Sequence, residues 1–245
     1  MNIETEGLAV SFPGRGTPAL DDVSITIDHA EHVVLLGPSG SGKTTLLRCI
    51  LGGVTPDRGR VRVGGLTTAR PAELRRIRRR AGVVRQETAL VPGLRVQTNA
   101  VLGTAPAWRL REWAAVLRGG IPSRHAERVH ALADALGIRD YLTDRVENLS
   151  RGQQQRLAVL RAVLPAPRLL LADEPTSGLD PVTARAAVDA LLVEGTTVML
   201  STHDLDLARR FTRVIALRAG RLVHDGSGLS DRDIARIYPG TPVGT

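Results

Sequence analysis

Aromatic side chains are almost missing from this sequence: two Phe, two Trp and two Tyr are 2% of its 245 residues. Stacking platforms for single-stranded nucleic acid are correspondingly scarce, and no helix-turn-helix or zinc-finger spacing occurs. The formal charge of +8 is therefore not assigned to a nucleic-acid partner. Long apolar runs are lacking as well, none approaching the ~20 residues that cross a bilayer. The opening residues, Met1 to Glu6, have neither the basic nor the apolar region of a signal peptide. A chain made and kept in the cytosol is expected. Cysteine occurs once, as Cys49 in an apolar helical stretch, which suits a small core residue rather than a reactive thiol.

Lysine is the sharpest shortage. Of 33 Lys and Arg residues, Lys43 alone is lysine. Arg everywhere else and Lys at one place marks a site that needs a compact ammonium, which a planar guanidinium replaces poorly. That lysine stands in Gly37-Pro38-Ser39-Gly40-Ser41-Gly42-Lys43-Thr44, followed by Thr45, a complete match to the Walker A pattern G-x-x-x-x-G-K-[ST]. The apolar run His32 to Leu36 before it reads as a buried strand, and Lys43 to Ile50 reads as a helix. Strand, glycine loop and helix are the setting this motif requires. Glycines let backbone N–H groups turn toward phosphates, and the helix N-terminus adds a favourable field. Lys43 would reach the outer phosphates and the Thr44 hydroxyl would ligate Mg²⁺, so ATP and Mg²⁺ are the expected cofactors.

Leu169-Leu170-Leu171-Ala172-Asp173-Glu174 is an apolar strand ending in two carboxylates, the Walker B form. Unpaired charges beside a core are costly, so the pair needs a reason. Asp173 would hold Mg²⁺ and Glu174 would act as general base on the attacking water; without a Walker A motif, a helix N-cap pair would be the better reading. Leu149-Ser150-Arg151-Gly152-Gln153 precedes a helical stretch, where Ser150, Gly152 and Gln153 suit either a phosphate or an ordinary N-cap.

The rest of the chain alternates. Leu8 to Phe12 and Val23 to Ile27 read as strands around the Pro13-Gly14 turn. From Glu87 to Pro165 the spacing of Val129, Leu132, Ala133 and Leu136 predicts amphipathic helices. Strand-like runs return at Thr197 to Leu200 and Val214 to Leu217, after a helix predicted from Pro181 to Leu192. Strands alternating with helices imply a mostly parallel sheet.

Together, the two Walker motifs and the Ser150 segment resemble the ABC ATPase family across nearly the whole chain. The resemblance implies an α/β fold: a P-loop NTPase (RecA-like) core with an N-terminal antiparallel β subdomain and an inserted helical subdomain. It implies a single domain over residues 1–245, with the nucleotide-binding core and β subdomain at 1–86 and 166–226, the helical subdomain at 87–165 and a C-terminal tail at 227–245. Within it, Gln86 resembles the glutamine that contacts Mg²⁺ and links to the membrane subunit. Ser177-Gly178-Leu179-Asp180 resembles the D-loop of the dimer interface, and His203 the switch histidine at the γ-phosphate. Phe12 falls where the family places an aromatic under adenine, its alternative being a core strand residue. Arg151 departs from the family, which usually has glycine there. Each ATP lies between the Walker A of one subunit and the signature of another, so the resemblance implies a homodimer. Its other partners would be transmembrane permease subunits and, indirectly, a solute-binding protein, with the dimer peripheral on the cytoplasmic face of the membrane.

Importers and exporters share all of these motifs. Val83-Val84-Arg85-Gln86, the stretch from Leu90 to Gly103 with Trp108 and Trp113, and the ending from Arg213 to Tyr238 are similar to the import ATPases for phosphonates and related phosphorus compounds. Amino-acid or phosphate importers and cell-division exporters are the alternatives. A soluble ABC protein acting on DNA or ribosomes usually has two ATPase units or long coiled-coil inserts, and this chain has neither. Trp108 and Trp113 either line a groove for a permease helix or fill the helical core.

Overall fold

A computed structural model describes residues 1–14 and 16–239. The elements in chain order are β1 (Ile3–Val10), β2 (Leu20–Ile27), β3 (His32–Leu36), α1 (Lys43–Ile50), β4 (Arg58–Val63), β5 (Leu66–Thr67), α2 (Pro71–Arg78) and β6 (Ala81–Val84). There follow α3 (Val96–Val101), α4 (Leu110–Leu117), α5 (Ser123–Ala135), α6 (Arg151–Val163), β7 (Leu169–Asp173) and α7 (Pro181–Leu191). The last are β8 (Thr197–Ser201), α8 (Leu205–Ala208), β9 (Arg213–Arg218), β10 (Arg221–Gly226) and α9 (Asp231–Ile237). Residues of the expected 227–245 tail from Gly240 onward lie outside the described set.

The chain divides into two compact units. The first joins Met1–Ala81 to the residues from Glu194 onward. It contains an antiparallel sheet in the order β2-β1-β4-β5, with Ile3 opposite Ile27 on one side and Val63 on the other. In β4, Arg60 and Arg62 face solvent while Val61 and Val63 are buried, the period-2 alternation of a half-covered sheet. The same unit places β3 between β8 and β9, parallel to both, with β10 antiparallel to β9. Val33 to Leu36 are fully buried, as expected of a strand flanked in a parallel sheet. Arg213 ties this sheet together: its guanidinium donates to Glu31 Oε1 at 3.1 Å and to both Asp225 oxygens at 2.7 and 2.9 Å. The two carboxylates hold that guanidinium firmly protonated, the bonds to Asp225 contributing most.

Cys49 is fully buried in α1, and burial pushes its thiol up to about 11. The thiolate is the nucleophile, so the native protein is expected to resist a thiol reagent at pH 8 and to react fully once denatured. Rapid labelling of native protein would contradict this packing.

The second unit is Gly82–Val193. It is wider than the helical stretch 87–165, taking in β6, β7 and α7 as well. The reason is close approach: a Cβ on Gly82 of β6 would lie 2.4 Å from the Ala162 carbonyl of α6, so strand and helix are in backbone contact. β7 lies beside β6. Leu169 to Ala172 are buried, and the strand ends on half-buried Asp173.

Candidate functional site

In the first unit, β3 runs directly into the glycine loop. Gly37 has φ 147°, and a Cβ there would sit 2.2 Å from the Leu217 carbonyl and 2.6 Å from Ser41 Oγ. Gly42 has φ 108°, with Ala19 O at 2.5 Å from any Cβ. The loop is therefore pressed against β9 and the end of the β1–β2 connection, and only glycine fits. Ser41 O accepts from the Gly220 N–H at 3.0 Å, a further backbone anchor. Lys43 is buried, and its ammonium donates to Gly37 O at 2.6 Å and Pro38 O at 3.1 Å.

Two observations fit a polyphosphate here. Gly42 gives the first turn of α1 no side-chain cap, leaving helix N–H groups of the kind that bind anions. The Ser41 hydroxyl is buried without a hydrogen-bond partner among the described residues. Thr44 and Thr45 lie half-buried in the same first turn.

His203 belongs to the same unit, exposed just past β8. The Thr202 N–H donates to Leu35 O at 3.1 Å, which stitches the histidine loop to β3, the strand that leads into the glycine loop. Asp204 then caps α8, accepting from Asp206 N at 2.8 Å and Leu207 N at 3.2 Å. Phe12 lies two residues past the end of β1 and is half-buried. The core-strand alternative therefore fails for it, because the β1–β2 ladder closes at Val10 opposite Leu20.

In the second unit, Gln86 is exposed two residues after β6. Glu174 follows β7 with φ 47°, the left-handed region that a non-glycine residue enters at a cost. The Ser177 N–H donates to its carbonyl at 3.2 Å. Ser150 caps α6: its Oγ accepts from Gln153 N at 3.3 Å, and Gln153 Oε1 accepts from Ser150 N at 2.7 Å. Both Ser150 and Gln153 are thus engaged in the N-cap that their sequence allowed. Asp180 caps α7 in the same way, accepting from Val182 N at 3.1 Å and Thr183 N at 3.0 Å. Hydrogen bonds from Thr183 hold its carboxyl below the usual range. A Cβ on Gly152 would lie 3.2 Å from Leu179 Cδ2, so the start of α6 packs on the Ser177–Asp180 segment.

Residues 20–177, well over half of the chain, match the family described as ABC transporter. This chain belongs to the ABC transporter family. Among curated relatives of this ABC chain, a phosphonates import ATP-binding protein of Nocardia farcinica is 42% identical, the alignment covering 94% of this chain and 88% of the relative. One of Rhodopseudomonas palustris is 40% identical, covering 91% and 82%. The solved dimeric ATP-binding cassette MJ0796, bound to ADP and Pi after hydrolysis, superposes with a TM-score of 0.80 at 28% identity, covering 93% of this chain and 99% of that one. The α/β fold of an ABC ATPase follows.

Within the ABC chain, Arg151 is the first residue of α6 and exposed. A cation at the positive end of a helix is unfavourable by about 0.3–1 kcal/mol, about what glycine costs in a helix, so the two residues leave the helix start of similar stability. Two structural residues escaped the sequence reading. Tyr238 hydrogen-bonds Gly37 from 201 positions away, and Arg213 reaches Glu31 across 182; no local pattern joins residues so far apart.

Proposed function

We propose that this chain is the ATP-hydrolysing subunit of an ABC importer that takes up phosphonates or related phosphorus compounds. The observation that carries it is a complete Walker A loop in a backbone geometry only glycine can adopt, in a chain about 40% identical to phosphonates import ATP-binding proteins over nine-tenths of its length.

The loop N–H groups, Lys43 and Ser41 would hold the phosphates of ATP, and Phe12 would meet the adenine. Glu174 would take a proton from the attacking water, with His203 contacting the terminal phosphate. Among the described residues no group of three His, Cys, Asp or Glu side chains could hold a metal alone. Mg²⁺ keeps water and substrate phosphates in its shell, and Thr44, Asp173 and Gln86 would supply the protein's share. Bound there, the ion would neutralise charge on the phosphates.

The motor would act as a pair of these chains, with Ser150, Gly152, Gln153 and Asp180 of one copy facing the nucleotide of the other. It would sit on the cytoplasmic face of the membrane against permease subunits, and a solute-binding protein would deliver cargo to them. The exposed face of α4 is a candidate for the permease contact: Leu110 and Leu117 are 87% and 81% exposed, beside Trp113. Trp108 supports that face from below, edge-on to Trp113 at 4.8 Å and donating to the Thr104 hydroxyl.

The test is uptake of a labelled phosphonate by cells expressing the complete transporter. Lys43→Ala is expected to reduce uptake to background, because the loop loses its ammonium. Absence of uptake by wild-type cells whose purified motor hydrolyses ATP would refute the phosphonate assignment and leave the motor standing.

A further inference from the structure

The phosphate loop has a side-chain anchor outside every motif. Gly37 donates its N–H to the Tyr238 hydroxyl at 3.2 Å, while its carbonyl accepts from Lys43. One residue at the root of the loop is thus held from the C-terminal segment on one side and by the phosphate-binding lysine on the other.

The tyrosine is delivered by a short helix pinned at both ends. At the start of α9, Ser230 and Asp233 form a reciprocal cap, with Ser230 Oγ accepting from Asp233 N at 3.2 Å and Asp233 Oδ2 accepting from Ser230 N at 3.0 Å. Asp233 also lies 3.3 Å from Nδ1 of His224 on β10. At the far end, Arg218 of β9 donates to Arg236 O at 3.0 Å, and the Tyr238 N–H donates to Ile234 O at 2.8 Å. Ile234 and Ile237 are buried between these points. Burial and capping explain why α9 folds against the sheet; neither calls for a hydroxyl aimed at Gly37.

We infer that Tyr238 is a positioning residue for nucleotide binding, its hydroxyl fixing the Gly37 N–H and hence the carbonyl on which Lys43 rests. The inference rests on the phosphate-loop reading above. Its effect is on affinity, because the hydroxyl orients the loop and touches no reacting atom.

Tyr238→Phe removes the oxygen and keeps the ring. A neutral hydrogen bond of this kind changes an equilibrium about three- to tenfold, so the full-length variant should bind a fluorescent ATP analogue that much more weakly. Its kcat at saturating ATP should stay within about twofold of wild type, and its Tm within about 2 °C. Affinity equal to wild type, or weaker binding matched by a Tm fall of several degrees, would overturn the inference, the latter showing a merely structural role. Lys43→Ala measured alongside separates the two readings. If that variant binds like wild type, the phosphate-loop assignment itself falls; if it fails to bind while Tyr238→Phe binds normally, only the role of Tyr238 falls.

Discussion

Glu174→Gln is expected to lower ATP turnover by about 10²- to 10⁴-fold while leaving nucleotide affinity within about threefold of wild type. The amide is isosteric with the carboxylate and can still hydrogen-bond water, but it cannot accept the proton. Glu174 stands directly after the buried strand Leu169 to Ala172 and the half-buried Asp173. Its φ of 47° costs about 1–2 kcal/mol for a residue with a side chain, a cost the glutamine variant shares. Glutamine retains the same backbone, so the variant should fold and bind. If the motor works as a pair, ATP that binds without being cleaved will hold the pair together. Gel filtration with ATP should then show a dimer for the variant and not for wild type. Turnover at the wild-type rate would remove Glu174 from the role of base.

The parts of this site that are local in sequence were legible there. The helix predicted over Lys43 to Ile50 has those bounds in the structure, and the one predicted from Pro181 ends at Leu191. Glycine spacing and apolar runs are short-range signals, and backbone sterics turn them into structure without help from distant residues. Phe12 shows where such signals stop. Its apolar neighbours read as a continuing strand, yet the ladder closes at Val10 and leaves it outside. The hydroxyl of Tyr238 on Gly37 and the grip of Arg213 on Glu31 depend on which strands become neighbours in the sheet. That is a property of topology, and residue order alone does not display it. The breadth of the second unit was hidden for the same reason, since Gly82 gives no sign in sequence of the α6 carbonyl it packs against.

Gly37→Ala should be severely damaging to the phosphate loop, and Gly40→Ala isolates the cause. Both glycines have positive φ, 147° and 78°, so both variants incur backbone strain; for Gly40 that is about 1 kcal/mol. Their surroundings differ. Nothing lies within 4 Å of a Cβ on Gly40, whereas at Gly37 the methyl would be 2.2 Å from the Leu217 carbonyl. That carbonyl belongs to β9, whose pairing with β3 sets Leu36 opposite Ala216, so it cannot retreat without opening the ladder. Ser41 Oγ, at 2.6 Å, closes the other direction. Clash and strain together are expected to cost on the order of 3 kcal/mol or more, a fall in Tm of about 6–12 °C at this chain length. Nucleotide binding should be lost at temperatures where the protein remains folded, because any relief of the clash moves the carbonyl that meets Lys43. Equal Tm values for the two variants would mean that the loop root can shift away from β9, and glycine would then be required at Gly37 for its φ alone.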